Sequence, residues 1–375
     1  MHLSFRRLFF VLATSFALFA ALGFAKIVLI PIGMALLVSF ILLPVCKRLE
    51  KWGVNRTLSA FLAILMLILV LSGAIFLFST QIISLSKEVS NLSAKFMDSF
   101  SDVLVFINKN INFIDELTRE EVITRGKEWM NESSASIMKT VVNSIAAIIG
   151  GLISTIIFTL LFLIYRVGLT KGFVKFSARD KREQTLGMLK RVQKVGQGYL
   201  SGMFTLILIM GTSHSIALWI IGIDSPFLFG YFVGSLVIIP YVGTVAGAVI
   251  PILYAFMTSD NLLTPLLVIA YFQAIQMTES NFLSPKIVGN SMHVNALAAI
   301  ISLIIGAAVW GVAGMILFMP FVAMLKVVCD EFTQLKPVGL LISSDVAGGR
   351  GNSSDKIARF KSKFRGWFSS DKKKK

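Results

Sequence analysis

Charge is what this chain lacks most. Asp, Glu, Lys and Arg make up 15% of its 375 residues, against about 25% in a soluble domain. Cysteine is scarce too. Cys46 and Cys329 are the only two, and without a C-x-x-C pair they support neither a disulfide framework nor a thiolate metal site. Each ends an apolar run and reads as a packing residue. The three histidines are scattered at positions 2, 214 and 293. No G-x-x-x-x-G-K-[ST] loop marks a nucleotide-driven motor, and neither H-E-x-x-H nor G-x-S-x-G occurs. No nucleophile has a base within reach. The expectation is a protein that is not an enzyme and uses no cofactor or metal.

What is present is apolar length. Eight stretches, most long enough to cross a bilayer, run through the chain, and phenylalanine alone occurs 31 times. Spanning segments in hydrocarbon must bond their own backbone, so the expected fold is all-α and polytopic. The net charge of +16 does not mark a nucleic-acid binder. Basic residues outnumber acidic ones 12 to 5 in 326–375, 9 to 2 in 166–198 and 4 to 1 in 46–57, whereas 83–140 holds 7 against 9. The basic segments read as cytoplasmic, with affinity for anionic lipid heads, and both termini fall on that side.

Residues 8–24 follow Arg6-Arg7 and form a first span rather than a cleaved signal, since another apolar run starts at Ile27. A turn around Lys26 and Pro31 leads to span two, ending near Pro44. Span three, about 58–82, continues into a long helix with one apolar stripe from Leu85 to Ile114, part of an external helical segment reaching residue 140. Span four covers about 141–165. The basic loop after it contains an amphipathic helix at Leu186, Leu189, Val192 and Val195, and span five is about 199–221. After Pro337 the apolar signal fades, and a Gly/Ser linker from Ser343 to Ser354 precedes either a basic amphipathic helix with Ile357, Phe360, Phe364 and Trp367 on one face or a disordered tail. The chain therefore divides into 1–57, an N-terminal transmembrane hairpin and cytoplasmic loop; 58–140, span three and the external segment; 141–198, span four and the basic loop; 199–335, a transport core; and 336–375, a basic cytoplasmic tail.

Two apolar segments in the core, 226–258 and 296–325, are too long for one crossing. A straight helix of either would measure about 45–50 Å against a hydrocarbon core of about 30 Å. Each carries breakers at its middle: Pro240, Tyr241 and Gly243 in the first, Gly306 and Gly311 in the second. Six full transmembrane helices plus two re-entrant hairpins fit this pattern, with eight full spans as the alternative. Broken helices in matching positions point to a transporter's binding site.

Polar residues gather between them. Gln273, Gln276 and Glu279 follow at steps of three, with Asn281 close by, and Glu279 is the only carboxylate embedded in an expected span. An acidic group there usually faces a cavity or a partner. His214 reads as a neutral ring satisfied by a neighbouring hydroxyl or carbonyl.

The run Gln276-Met-Thr-Glu279-Ser-Asn281-Phe-Leu-Ser-Pro285-Lys286-Ile-Val-Gly289 resembles the signature of the autoinducer-2 exporter family of permeases. Gly196-Gln197-Gly198-Tyr199, Ile239-Pro240-Tyr241-Val242-Gly243 and Gly306-Ala-Ala-Val-Trp310-Gly311 fall in matching order. Asn295 departs from the pattern, standing where the family often has proline. The resemblance implies a bacterial inner-membrane carrier, assembled as a homo-oligomeric pentamer, with two opposed hairpins in an elevator-like unit. Autoinducer-2 or a cation–proton exchange is the implied cargo. Two other readings remain: a sodium–proton antiporter working through Glu279, and a membrane scaffold that transports nothing.

Overall fold

The computed structural model describes residues 5–73, 76, 150–239, 243–259, 261–289 and 292–344. Among them the named elements are all helical, apart from one isolated bridge between Val294 and Ser343. The external segment with its 85–114 stripe, the tail helix, and Pro240 and Tyr241 lie outside the described residues.

Helix α1 (Phe5–Phe24) and helix α2 (Lys26–Lys51) are separated by Ala25 alone. Lys26 and Pro31 do not form a turn: Lys26 opens α2, and both Pro31 and Pro44 lie inside it. Each proline ring deletes one backbone bond, a loss that packed neighbours can absorb in a membrane helix, and Pro31 is buried. The next helix, α3 (Arg56–Gly73), begins after Gly53, whose φ is 88°. Asn55 caps it by accepting from Leu58 N at 2.8 Å. Helix α4 (Gly150–Lys175) joins α2 and α3 around Leu42, Cys46, Ala60, Ala63, Ile64 and Leu163.

Helix α5 (Arg182–Ile221) is one unbroken helix of 40 residues, about 60 Å long at 1.5 Å per residue. The amphipathic segment and the fifth span are therefore continuous, despite Gly196 and Gly198 between them and Gly202 just inside the span. Those glycines do not break the helix. At Gly196 the space of a missing Cβ is taken by Phe40 and Met324, so the position serves close packing.

The two long apolar segments both fold back. Helices α6 (Pro226–Leu236) and α7 (Gly243–Thr258) pack antiparallel. A Cβ on Gly243 would overlap the Leu236 carbonyl, and one on Gly247 would lie 3.1 Å from Val233 Cγ1. Helix α8 (Leu263–Thr278) runs on into two π-helical turns, Glu279–Leu283 and Pro285–Gly289. Helix α9 (Ala296–Glu331) reverses at Gly311, where φ is 61° and ψ is −138°. Its arms touch so closely that a Cβ on Gly306 or Gly314 would strike the other's backbone. Ser302 Oγ lies 3.7 Å from Met319 Sδ across the same fold. A short helix, α10 (Lys336–Ile342), follows.

Among the described residues, five helices are long and apolar enough to cross a membrane by length and composition: α2, α3, α4, α5 with its leading 3-10 turn, and α9. The chain is an all-α, polytopic membrane protein.

Candidate functional site

Glu279 sits where α8 changes from α to π winding, a change that often marks a functional position. It is 8% exposed. Three donors reach its carboxylate. Ser284 Oγ donates to Oε1 at 2.8 Å, Thr244 Oγ1 to Oε2 at 3.2 Å, and Gln276 Nε2 to Oε2 at 3.4 Å. These come from the π turns, from the first turn of α7 and from α8. Gln276 Oε1 is also buried but has no hydrogen-bond partner. The open capacity of the cluster is therefore for a donor or a cation, since its unfilled groups are oxygen lone pairs.

Gln276 and Glu279 are thus brought together as their spacing suggests. Gln273 and Asn281 are exposed, and Asn281 Nδ2 donates to the Met277 carbonyl on its own helix at 2.7 Å. Thr244 and Ser284 complete the cluster without having been singled out from sequence. Thr244 follows Gly243 at the expected tip, so its position was a usable signal. Ser284 is five residues from Glu279, a spacing that faces the same side only in a π turn.

Ile287 and Val288 of the motif serve packing. Ile287 carries its carbonyl against Gly202 of α5, where a Cβ would stand 2.9 Å away. Val288 joins a buried cluster with Tyr199, Met203, Leu206, Ala299 and Met319, so α5, the π turns and both arms of α9 share one core. Pro285 and Lys286 are exposed, and Pro285 and Gly289 line a cavity of about 240 Å³ with His293, Asn295 and Ser344. Gly311 carries the break in α9, while Gly306 marks where its arms cross. That tip is tied to the N-terminal helices: Trp310 Nε1 donates to the Leu22 carbonyl at 3.0 Å. His214 is buried, with Nδ1 3.1 Å from the Tyr271 hydroxyl, the kind of neighbour its sequence context suggested.

Two folded apolar segments, one of them bonded through Thr244 to a buried carboxylate, in a bundle of membrane-length helices, define a polytopic carrier-type membrane protein. Residues 8–334 match the AI-2E family transporter profile, and the chain belongs to that family: it is a multi-pass inner-membrane transporter, not an enzyme. It is similar to YrrI and YueF of Bacillus subtilis (strain 168), both named provisionally as transport proteins. YrrI is 26% identical over 317 residues, covering 83% of this chain and 88% of its own length. YueF is 26% identical over 342 residues, covering 85% and 88%. The AI-2 transport protein TqsA of Escherichia coli (strain K12) is 22% identical over 334 residues, covering 85% and 90%.

Proposed function

We propose that this chain is a secondary transporter that exports a small polar solute such as autoinducer-2 across the inner membrane by alternating access. The observation that carries the reading is the Glu279 cluster, with a buried carboxylate and an unpartnered Gln276 oxygen beside the first turn of α7. A buried charged group without a task is costly, and a hydroxylated solute would donate to both oxygens. In this reading α1, α2, α3, α4, α5 and α8 with the π turns that extend it to Gly289 cross the bilayer, while α6–α7 and α9 enter and return. The arm lengths support that. The 11 residues of α6 and 16 of α7 reach about 17 and 24 Å, short of a hydrocarbon core of about 30 Å. An α9 folded at Gly311 favours hairpins over eight full spans. Both termini face the cytoplasm, and the family resemblance adds a pentamer.

The test is efflux of autoinducer-2 and a panel of small polar metabolites from proteoliposomes. Gln276→Ala and Glu279→Ala should each lower transport of the responding solute at least tenfold; normal rates in both would remove this site from the mechanism.

One observation favours a second reading. Carboxylate and amide oxygens side by side are also ligands for a hard cation, which suits sodium–proton exchange at Glu279. It predicts pH-dependent sodium flux that Glu279→Gln abolishes.

A further inference from the structure

Helices α5 and α8 meet across a second polar contact that the Glu279 cluster does not use. His214 on α5 has no exposed surface. Its Nδ1 is 3.1 Å from Tyr271 Oη on α8, and that hydroxyl is 3.3 Å from Ser213 Oγ. The other ring nitrogen, Nε2, is buried with no hydrogen-bond partner. The Phe272 ring covers the imidazole at a centroid distance of 5.0 Å. One nitrogen is satisfied, then, and one is left open, beside the apolar cluster of Leu218, Phe229, Val268 and Phe272.

Among the described residues, the helices packed against the ring place no counter-charge beside it. α6, α7 and α8 have no Asp, Glu, Lys, Arg or His, and His214 is the only such residue of α5 between Tyr199 and Ile221. The titratable groups on the helices packed here are tyrosines. Tyr271 bonds the ring, Tyr231 of α6 pairs with Thr212 at 2.9 Å, and Tyr254 of α7 lies against Phe229. Glu279 is two turns beyond Tyr271 on α8, about 12 Å along the axis. The charges of α9, Lys326, Asp330 and Glu331, sit near its end, where Glu331 pairs with Arg191.

We propose that His214 and Tyr271 form a proton-binding site, separate from Glu279, whose occupancy controls the contact between α5 and α8. A neutral imidazole fits the packed arrangement. An imidazolium would be an unpaired cation with one N–H lacking an acceptor, and such a group is expelled towards water. Proton uptake therefore favours a form in which α8 has moved off α5 and water reaches Nε2. By linkage, that separated form binds the proton more tightly by the same factor. Histidine is the side chain whose ordinary titration lies in the pH range where such a device operates. The inference rests on the carrier reading in one respect: α8 belongs to the moving unit, so the proton gates its release.

The experiment uses the full chain in phosphatidylethanolamine–phosphatidylglycerol liposomes, with His2→Gln and His293→Gln so that His214 is the only histidine. Nitrogen-15 resonances follow ring protonation, and spin labels at Trp219→Cys and Leu266→Cys, with both native cysteines replaced by alanine, report the α5–α8 distance. Between pH 8 and pH 5 the distance should lengthen with the midpoint of the ring titration. His214→Gln should make it independent of pH, and Tyr271→Phe should shift the midpoint while keeping the transition. A distance unchanged by pH, or changed equally in His214→Gln, overturns the proposal. The two readings fail separately. A chain that moves no solute yet shows the transition keeps this site, while solute flux with the same pH profile in His214→Gln removes it and leaves the carrier.

Discussion

Asn295 shows how much a single side chain can hold. Its Oδ1 caps α9 by accepting from Ala298 N at 2.8 Å, and its Nδ2 donates to the Leu341 and Ser343 carbonyls at 2.6 and 3.1 Å. Its own N–H donates to the Ile342 carbonyl at 2.9 Å. A φ of −74° would suit proline, so Asn295→Pro should add no backbone strain but lose these bonds. At about 0.5–1.5 kcal/mol per bond, losing these four bonds should cost about 2–6 kcal/mol, read as a lower midpoint of thermal unfolding in detergent. The cap fixes the start of this helix where the family pattern often has proline. Other residue-level detail was less legible. Steps of three predicted that Gln276 and Glu279 would meet, but the Ser284 contact needs π winding, which ordinary helical periodicity does not anticipate.

At the level of elements, the hairpin in α9 depends on one backbone conformation. The φ of 61° and ψ of −138° at Gly311 are essentially closed to residues with a Cβ, at a cost of about 1–3 kcal/mol. Gly311→Ala should therefore destabilise the protein by about that amount, whereas Trp310→Phe, which removes one hydrogen bond, should cost about 1 kcal/mol. Thermal unfolding of the purified variants separates the two. The reversal could be read in advance because bilayer thickness sets a limit that 30 apolar residues exceed. The continuity of α5 could not, since glycine signals both a break and a close approach. Only the positions of Phe40, Met324 and Ile287 show that Gly196 and Gly202 do the second.

For the whole molecule, ion pairs tie separate helices together at their basic ends. Arg166 of α4 meets Glu50 of α2 at 2.5 Å, with side chains 18% and 26% exposed. Arg166→Ala leaves Glu50 half-buried and unpaired. Partial exposure screens the loss to about 1–2 kcal/mol, which unfolding in detergent would register. Topology has a direct test at the same face. Phe176, 93% exposed, lies within the basic segment 166–198, and Phe176→Cys should react with an impermeant thiol reagent in inverted vesicles and not in intact cells. Charge asymmetry is the sequence signal for this orientation, because Lys and Arg stay on the side of synthesis, and the labelling decides it.

The bond from Trp310 to Leu22 closes a loop of 288 positions. Ribosomes add roughly 5–20 amino acids each second, so the first helix is made about 15–60 s before the indole that fastens it. During biogenesis α1 therefore waits in the bilayer without that fastening, and in chains stalled before Trp310 a thiol introduced as Leu22→Cys should react faster with a small reagent than in the finished protein.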